Sequence, residues 1–189
     1  MNCLFLGYNN KETSLIKFLK KKKFLVKNIK RELKLKEATK ADIIISFGYR
    51  RIIKNQIINK TKRPIINLHM SYLPHNRGSH PSFWSIIDNT PIGITIHEIN
   101  KGIDTGKIIL QKKFFINYKK KKFSTFKKIY SFLFIELEKL FKKNYHNIIL
   151  KKYKTFPQSA GGSYHRNKDL PKILKSWNEN VILIKKILN

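Results

Sequence analysis

Ile65-Ile66-Asn67-Leu68-His69-Met70-Ser71-Tyr72-Leu73-Pro74 follows Pro64 and reads as a strand that breaks into a loop. Its first residues are β-branched and apolar, as in a strand covered on both faces. Asn67 and His69 stand two residues apart and therefore project from one face. Upstream, Ile43-Ile44-Ile45-Ser46-Phe47 is a second continuous apolar strand, and Cys3-Leu4-Phe5-Leu6-Gly7 is a third, closed by the turn Tyr8-Asn9-Asn10. Residues 24–29 make another strand. Thr13 or Ser14 caps a helix running to about residue 22, with Leu15, Ile16, Phe18 and Leu19 on its buried side, and residues 52–60 have helical spacing. Downstream, a loop rich in Pro, Gly and His gives way to a helix over 81–87. Ile92, Ile94 and Ile96 then alternate with Gly93, Thr95 and His97, and residues 107–115 pair with that strand across Lys101-Gly102-Ile103-Asp104-Thr105-Gly106. The longest helix spans 124–143, with Phe126, Ile129, Tyr130, Leu133, Leu137, Leu140 and Phe141 in one stripe, and 177–188 form the last. This alternation predicts an α/β fold: an open, Rossmann-like, mostly parallel sheet with helices on both faces, formed by residues 1–189 as one domain.

A chain of 189 residues that is 41% hydrophobic can build one substantial core and is not intrinsically disordered. Its apolar runs fall far short of the roughly 20 residues of a membrane helix. The first apolar run is too short, and lacks the basic lead, for a secretion signal. One cysteine, Cys3, excludes a disulfide framework and a multi-thiolate metal site. A cytoplasmic protein with no metal and no membrane association is expected. The net charge is +30, from 41 Lys and Arg against 11 acids, and only six of the basic residues are Arg. Lys, Ile and Asn share A/T-rich codons, so genome composition suffices to explain the excess. The field attracts anions whatever its origin. The lysine runs 20–23 and 119–122 lack the interleaved aromatics of a single-strand nucleic-acid track, so no specific nucleic-acid partner is expected.

Open α/β sheets bind ligands beyond the carboxyl ends of their strands. That rule directs attention to Asn67 and His69, and with them to Asp104 in its glycine-flanked turn. An amide donor, a titratable base and a carboxylate are the parts of a polar catalytic site. On the residues alone, a strand histidine satisfied inside the core is the commoner case. His97, alternating with buried isoleucines, and Cys3, on a central strand, read as structural.

Taken in order, the segment from Asn67 to Pro74, then Arg77-Gly78, Gly93-Ile94-Thr95-Ile96-His97, Gly102-Ile103-Asp104-Thr105-Gly106 and Gln111 resemble the formyltransferase family. That family uses 10-formyltetrahydrofolate and includes glycinamide ribonucleotide transformylase, methionyl-tRNA formyltransferase and the sugar N-formyltransferases. The likeness runs from about residue 43 to 111. It implies that Asn67, His69 and Asp104 are catalytic. It also implies that the folate sits on Phe47, Gly48, Tyr49, Arg50, Arg51, Ile52 and Ile53 and on the turn with Gly102 and Ile103, largely through backbone groups. Phe47-Gly48-Tyr49-Arg50, His80-Pro81-Ser82-Phe83-Trp84 and Gly162-Ser163-Tyr164-His165-Arg166 are most similar to the sugar branch. The implied acceptor is an amino sugar, nucleotide-linked, met by Arg77, His80, Phe83 and Trp84. Formylation of another amine, such as glycinamide ribonucleotide or methionyl-tRNA, and a non-enzymatic polyanion binder are the alternatives, and a homodimer is left open. In the implied mechanism Asn67 and a protonated His69 donate to the oxyanion. Asp104 favours the imidazolium and takes the amine's proton through water. Residues 30–40 are only a brief charged stretch, so the amino-terminal half is compressed and the acceptor is expected to rest on the loop 74–84.

Overall fold

A computed structural model describes residues 1–188. The chain runs β1 (Asn2–Gly7), α1 (Leu15–Lys21), β2 (Leu25–Ile29), α2 (Leu35–Lys40), β3 (Ile43–Phe47), α3 (Asn55–Ile58) and β4 (Ile66–His69). It continues through β5 (Arg77–Gly78), α4 (Pro81–Ile87), β6 (Ile92–Glu98), β7 (Ile108–Phe114), α5 (Phe126–Ile149), β8 (Tyr164–His165) and α6 (Val181–Leu188). Six strands form the main sheet in the order β2-β1-β3-β4-β6-β7. The first four are parallel, and β6 and β7 extend the sheet antiparallel. The mostly parallel sheet read from the sequence is borne out.

Strand periodicity divides the core between two faces. Cys3, Phe5, Ile43, Ile45, Phe47, Ile66, Leu68 and the isoleucines of β6 pack with α1, α4, α5 and α6. Leu4, Leu6, Ile29, Ile44 and Ile65 pack with α2 and α3 on the other. On that second face β4 and β6 turn out Asn67, His69, Thr95 and His97 in place of an apolar surface, and there the site lies.

The long helix α5 fastens the first face. Thr125 caps it, its hydroxyl accepting from Lys128 N at 3.3 Å. Phe126, Ile129, Leu133, Leu137 and Phe141 follow at helical spacing and are all buried. Glu138 on the same helix caps a different one: its carboxylate accepts from Thr13 Oγ1 at 2.5 Å, Ser14 N at 2.8 Å and Ser14 Oγ. Ser14 N is one of the backbone donors an isolated α1 would leave without a partner.

Boundaries differ from the sequence reading where tertiary contacts extend or trim a local pattern. Helix α5 continues to Ile149, because Ile148 and Ile149 also enter the core. Helix α3 shrinks to Asn55–Ile58, since Ile52 is exposed and Ile57 is its one buried residue. The stretch 30–40, read as merely charged, carries α2, which seats Ala38 against the sheet. Among the described residues no helix is long and apolar enough to cross a membrane.

Phe141 is fully buried where α5 crosses the sheet. Phe141→Ala should cost roughly 3–5 kcal/mol of stability, as large cavities in a core do, measurable as a lower urea midpoint at unchanged m-value.

Candidate active site

The antiparallel pairing of β4 with β6 sets Asn67 opposite His97 and His69 opposite Thr95. Asp104 completes the group from the turn after β6. Because β6 runs against β4, that turn starts beside the amino end of β4, where Ile99 N donates to Ile65 O at 2.8 Å, and folds back over the sheet face. The site is thus built on a face of the sheet, not solely beyond its strand ends. The turn closes through Asn100 Oδ1, which accepts from Gly102 N at 3.1 Å and Thr105 Oγ1 at 2.7 Å. Asp104 itself adopts a left-handed φ of +52°.

Asp104 Oδ1 accepts from Asn67 Nδ2 at 3.1 Å and lies 3.4 Å from His97 Nε2. Its Oδ2 accepts from Gly78 N at 2.9 Å and lies 3.6 Å from His69 Nδ1. Burial works to raise the Asp104 pKa, but its neighbours His69, His97 and Gly78 outweigh it and hold the carboxyl well below the usual range. The side chain is 14% exposed, so the ionised carboxylate can meet a ligand.

His69 is tuned in the opposite sense to the sequence reading. Burial lowers its pKa, and the raising pull of Asp104 does not overcome that cost; His97 adds to the lowering. The resting imidazole is neutral. Its Nε2 faces the carbonyl of Asn76 at 3.1 Å, which can only accept, so the proton sits on Nε2 and the Nδ1 lone pair faces Asp104. Asn76 is itself fixed by Ser163, whose Oγ accepts from its backbone N at 2.9 Å.

His97, read from the sequence as structural, is buried and belongs to the cluster. Its Nδ1 donates to Glu98 O at 2.8 Å, leaving Nε2 to accept from Asn67 Nδ2 at 3.0 Å. Both N–H groups of Asn67 are therefore engaged, one by Asp104 and one by His97. The alternation of β6 placed His97 on the polar face; the cross-strand register that gives it this partner has no signature in the sequence.

The other expected site residues divide. Loop 48–53 follows β3, and its Tyr49 and Ile53 pack on the same apolar cluster as Ile99, just after β6. Ile52 and Ile103 are exposed apolar side chains there, at 78% and 44%. A Cβ at Gly48 would run into the Tyr8 ring. Arg50 is exposed and Gly102 lies in the exposed turn. Tyr49 turns its hydroxyl to Arg31 O at 2.7 Å, and the Phe47 ring is in the core against Phe134, leaving only backbone for a ligand. Phe83 corrects the expectation of an acceptor contact: it is 1% exposed and packs against Phe126 in the core, so its side chain cannot reach a ligand. Trp84 stacks on His165 at 4.0 Å, and its buried Nε1 has no partner among the described residues. His80 stacks on Trp177 and bonds Asn167 at 2.8 Å. Arg77 gives Nε and Nη2 to Gln158 Oε1 at 3.1 and 2.8 Å.

An amide, an imidazole and an ionised carboxylate in contact suit proton handling at a carbonyl carbon. Residues 8–131 match the formyl transferase family. The chain belongs to that family. The sequence-based assignment is borne out. The chain is 41% identical over 76 residues to a methionyl-tRNA formyltransferase of Thermodesulfovibrio yellowstonii, covering 40% of this chain and 24% of that protein. It is 32% identical over 103 residues to a GDP-perosamine N-formyltransferase of Brucella melitensis, covering 54% of this chain and 40% of that one. The chain thus matches less than half the length of these curated relatives. A crystal structure of the formyltransferase PseJ from Anoxybacillus kamchatkensis, in complex with UDP-4,6-dideoxy-4-formamido-L-AltNAc and tetrahydrofolate, matches with a TM-score of 0.87 and 38% identity over 96% of both chains.

In an NMR titration, His69 should titrate below the ordinary imidazole value of about 6.5. Asp104→Asn removes the charge that pulls this pKa up, so the variant should titrate lower still. A value at or above 6.5 in the unsubstituted protein contradicts the neutral resting imidazole.

Proposed function

We propose that this formyltransferase moves the formyl group of 10-formyltetrahydrofolate to the amine of a nucleotide-linked amino sugar. The observation that carries the reading is the contact of Asn67, His69 and Asp104 in a chain that matches PseJ along nearly its whole length. The molecules in that relative's crystal are a formamido sugar nucleotide and a folate without its formyl group, which are a product pair for such a transfer.

The donor fits what the residues offer. Exposed Ile52 and Ile103 give flat apolar contact for a pterin beside the carboxylate, and the glycine-containing backbone of 48–53 and 100–103 gives its ring polar partners. Attack by a neutral amine on the formyl carbon puts charge on the carbonyl oxygen. Asn67 meets that oxygen by giving up one of its present bonds. The bond to Asp104 is charge-assisted, so the bond to the His97 ring is the one that yields. Asp104 takes the proton leaving the amine. His69 stands behind it, with the Nδ1 lone pair free to hold that proton against the carboxylate. As the tetrahedral intermediate collapses, the bond between the formyl carbon and the folate nitrogen breaks and this proton passes to that nitrogen, which releases tetrahydrofolate and leaves Asp104 ionised.

The acceptor's phosphates lie away from the first strand-to-helix turn. Glu138 already places a carboxylate at the end of α1, where it accepts from Thr13 and Ser14 and would repel a phosphate. The loop 74–84, with His80 and Trp84, remains the proposed acceptor side.

An acceptor screen with 10-formyltetrahydrofolate, read by release of tetrahydrofolate, should show transfer to a nucleotide-linked amino sugar. Transfer to methionyl-tRNA or glycinamide ribonucleotide in its place overturns the acceptor assignment. Asn67→Ala, His69→Ala and Asp104→Asn should each lower turnover by about 10²-fold or more, with tetrahydrofolate binding retained. Any of the three turning over near the native rate leaves the mechanism. Added salt should lower kcat/KM for the anionic acceptor more than it weakens folate binding, because the basic field aids encounter with the anion.

A further inference from the structure

Gln158 lies far outside the segment that resembles the family most, in the strand-like stretch between α5 and β8. Its side-chain amide is saturated. Nε2 donates to Asp104 O at 2.7 Å and to Gly106 O at 2.9 Å. Oε1 accepts Nε and Nη2 of Arg77. The neighbouring Gly78 N donates to the Asp104 carboxylate itself. Arg77 and Gly78 form β5, which pairs with β8 in register Arg77↔Tyr164 and Gly78↔His165. Phe156, two residues before Gln158, bridges to Ile108 at the start of β7, with N–H···O distances of 2.8 and 3.0 Å in the two directions. The carboxyl-terminal segment is thus tied on both sides of Gln158, and Gln158 is the point where it grips the catalytic turn.

We propose that Arg77 and Gln158 are positioning residues that form a latch, holding the left-handed turn at Asp104 so that its carboxylate faces Asn67 and His69. This rests on the reading of Asp104 as proton acceptor. Asp104 sits at a left-handed φ of +52°, which aspartate tolerates better than most residues but which its local chain does not enforce. Here the main chain of Asp104 is fixed by Gln158, and its side chain by Gly78 and Asn67. Glutamine suits the role because one end must donate to two carbonyls while the other accepts from a guanidinium. A glutamate would keep the pairing with Arg77 but turn a charge toward both carbonyls. The guanidinium in turn selects which end of the amide faces the turn. On this account Arg77 acts on the reaction through Gln158, in contrast to the acceptor contact that the family resemblance implies.

The test uses Gln158→Leu, Gln158→Glu, Arg77→Met and the double variant Arg77→Met/Gln158→Leu in the full chain. Each single variant should lower kcat by about 10- to 100-fold, the scale of a small misplacement of a reacting group. Acceptor KM, tetrahydrofolate affinity and melting temperature should stay close to native. The double variant should be no worse than the poorer single one, since both break one latch. His69, which faces Asp104, His97 and the Asn76 carbonyl, should titrate at lower pH in Gln158→Leu, because the carboxylate that raises it has moved away. If Gln158→Leu is too unstable to assay, Gln158→Glu and Arg77→Met decide. Native kcat in the Gln158 variants, additive losses in the double variant, or a tenfold rise in acceptor KM at intact kcat in Arg77→Met overturns the latch. If the native chain formylates no amine, the functional reading fails; the His69 titration then judges the latch alone, and an unmoved titration rejects it.

Discussion

The ionised carboxylate of Asp104 is the constraint around which the rest of the site is arranged. It is largely shielded from water, on a backbone conformation that disfavours any side chain. A buried charge without partners costs several kcal/mol, and the left-handed backbone adds roughly 1–3 kcal/mol. Two charge-assisted hydrogen bonds, from Asn67 and Gly78, each contribute on the order of 1.5–3 kcal/mol against that cost. The imidazoles of His69 and His97 flank it at 3.6 and 3.4 Å. Three separated segments must therefore meet: the strand with Asn67 and His69, the loop with Gly78, and the turn with Asp104. The rest of the polar network follows from this demand. The Asn76 carbonyl fixes the His69 tautomer, and Ser163 fixes Asn76.

A second carboxylate shows how sparing acids are used in so basic a chain. With 11 acids against 41 basic residues, Glu138 is spent inside the fold, where it joins α5 to the start of α1. The ion pairs Lys30 with Glu12 and Lys54 with Glu32 are exposed on both sides and contribute little. The positive surface is left almost uncompensated. Its consequence is long-range attraction of anions, while the specificity of the chemistry belongs to neutral and acidic groups beneath it.

Much of the architecture was legible in local patterns. The strands β1, β3 and β4 announce themselves by apolar runs, and β6 by strict alternation, because side chains on a pleated strand change face at every residue. Asn67 and His69 could be assigned to one face, and Asp104 to a glycine-flanked turn, for the same kind of reason. The misreadings share a cause. Phe83 carried the look of a binding aromatic, yet it fills the core under α4. Residues 30–40 looked like solvated charge, yet Ala38 gives them a helix to bury. In each case a long-range contact overrode what the neighbours in sequence suggested.

The sequence carries the division of the chain into strands and helices, the face each strand offers and the residue types of the site, since those rest on spacings of a few residues. It does not carry the β4–β6 register that pairs Asn67 with His97, the burial that keeps His69 neutral, or the grip of Gln158 on the turn at Asp104. These join positions 30 to 54 residues apart. No periodicity spans such distances, and the free energy of a buried polar contact depends on surroundings that exist only once the chain has closed around it.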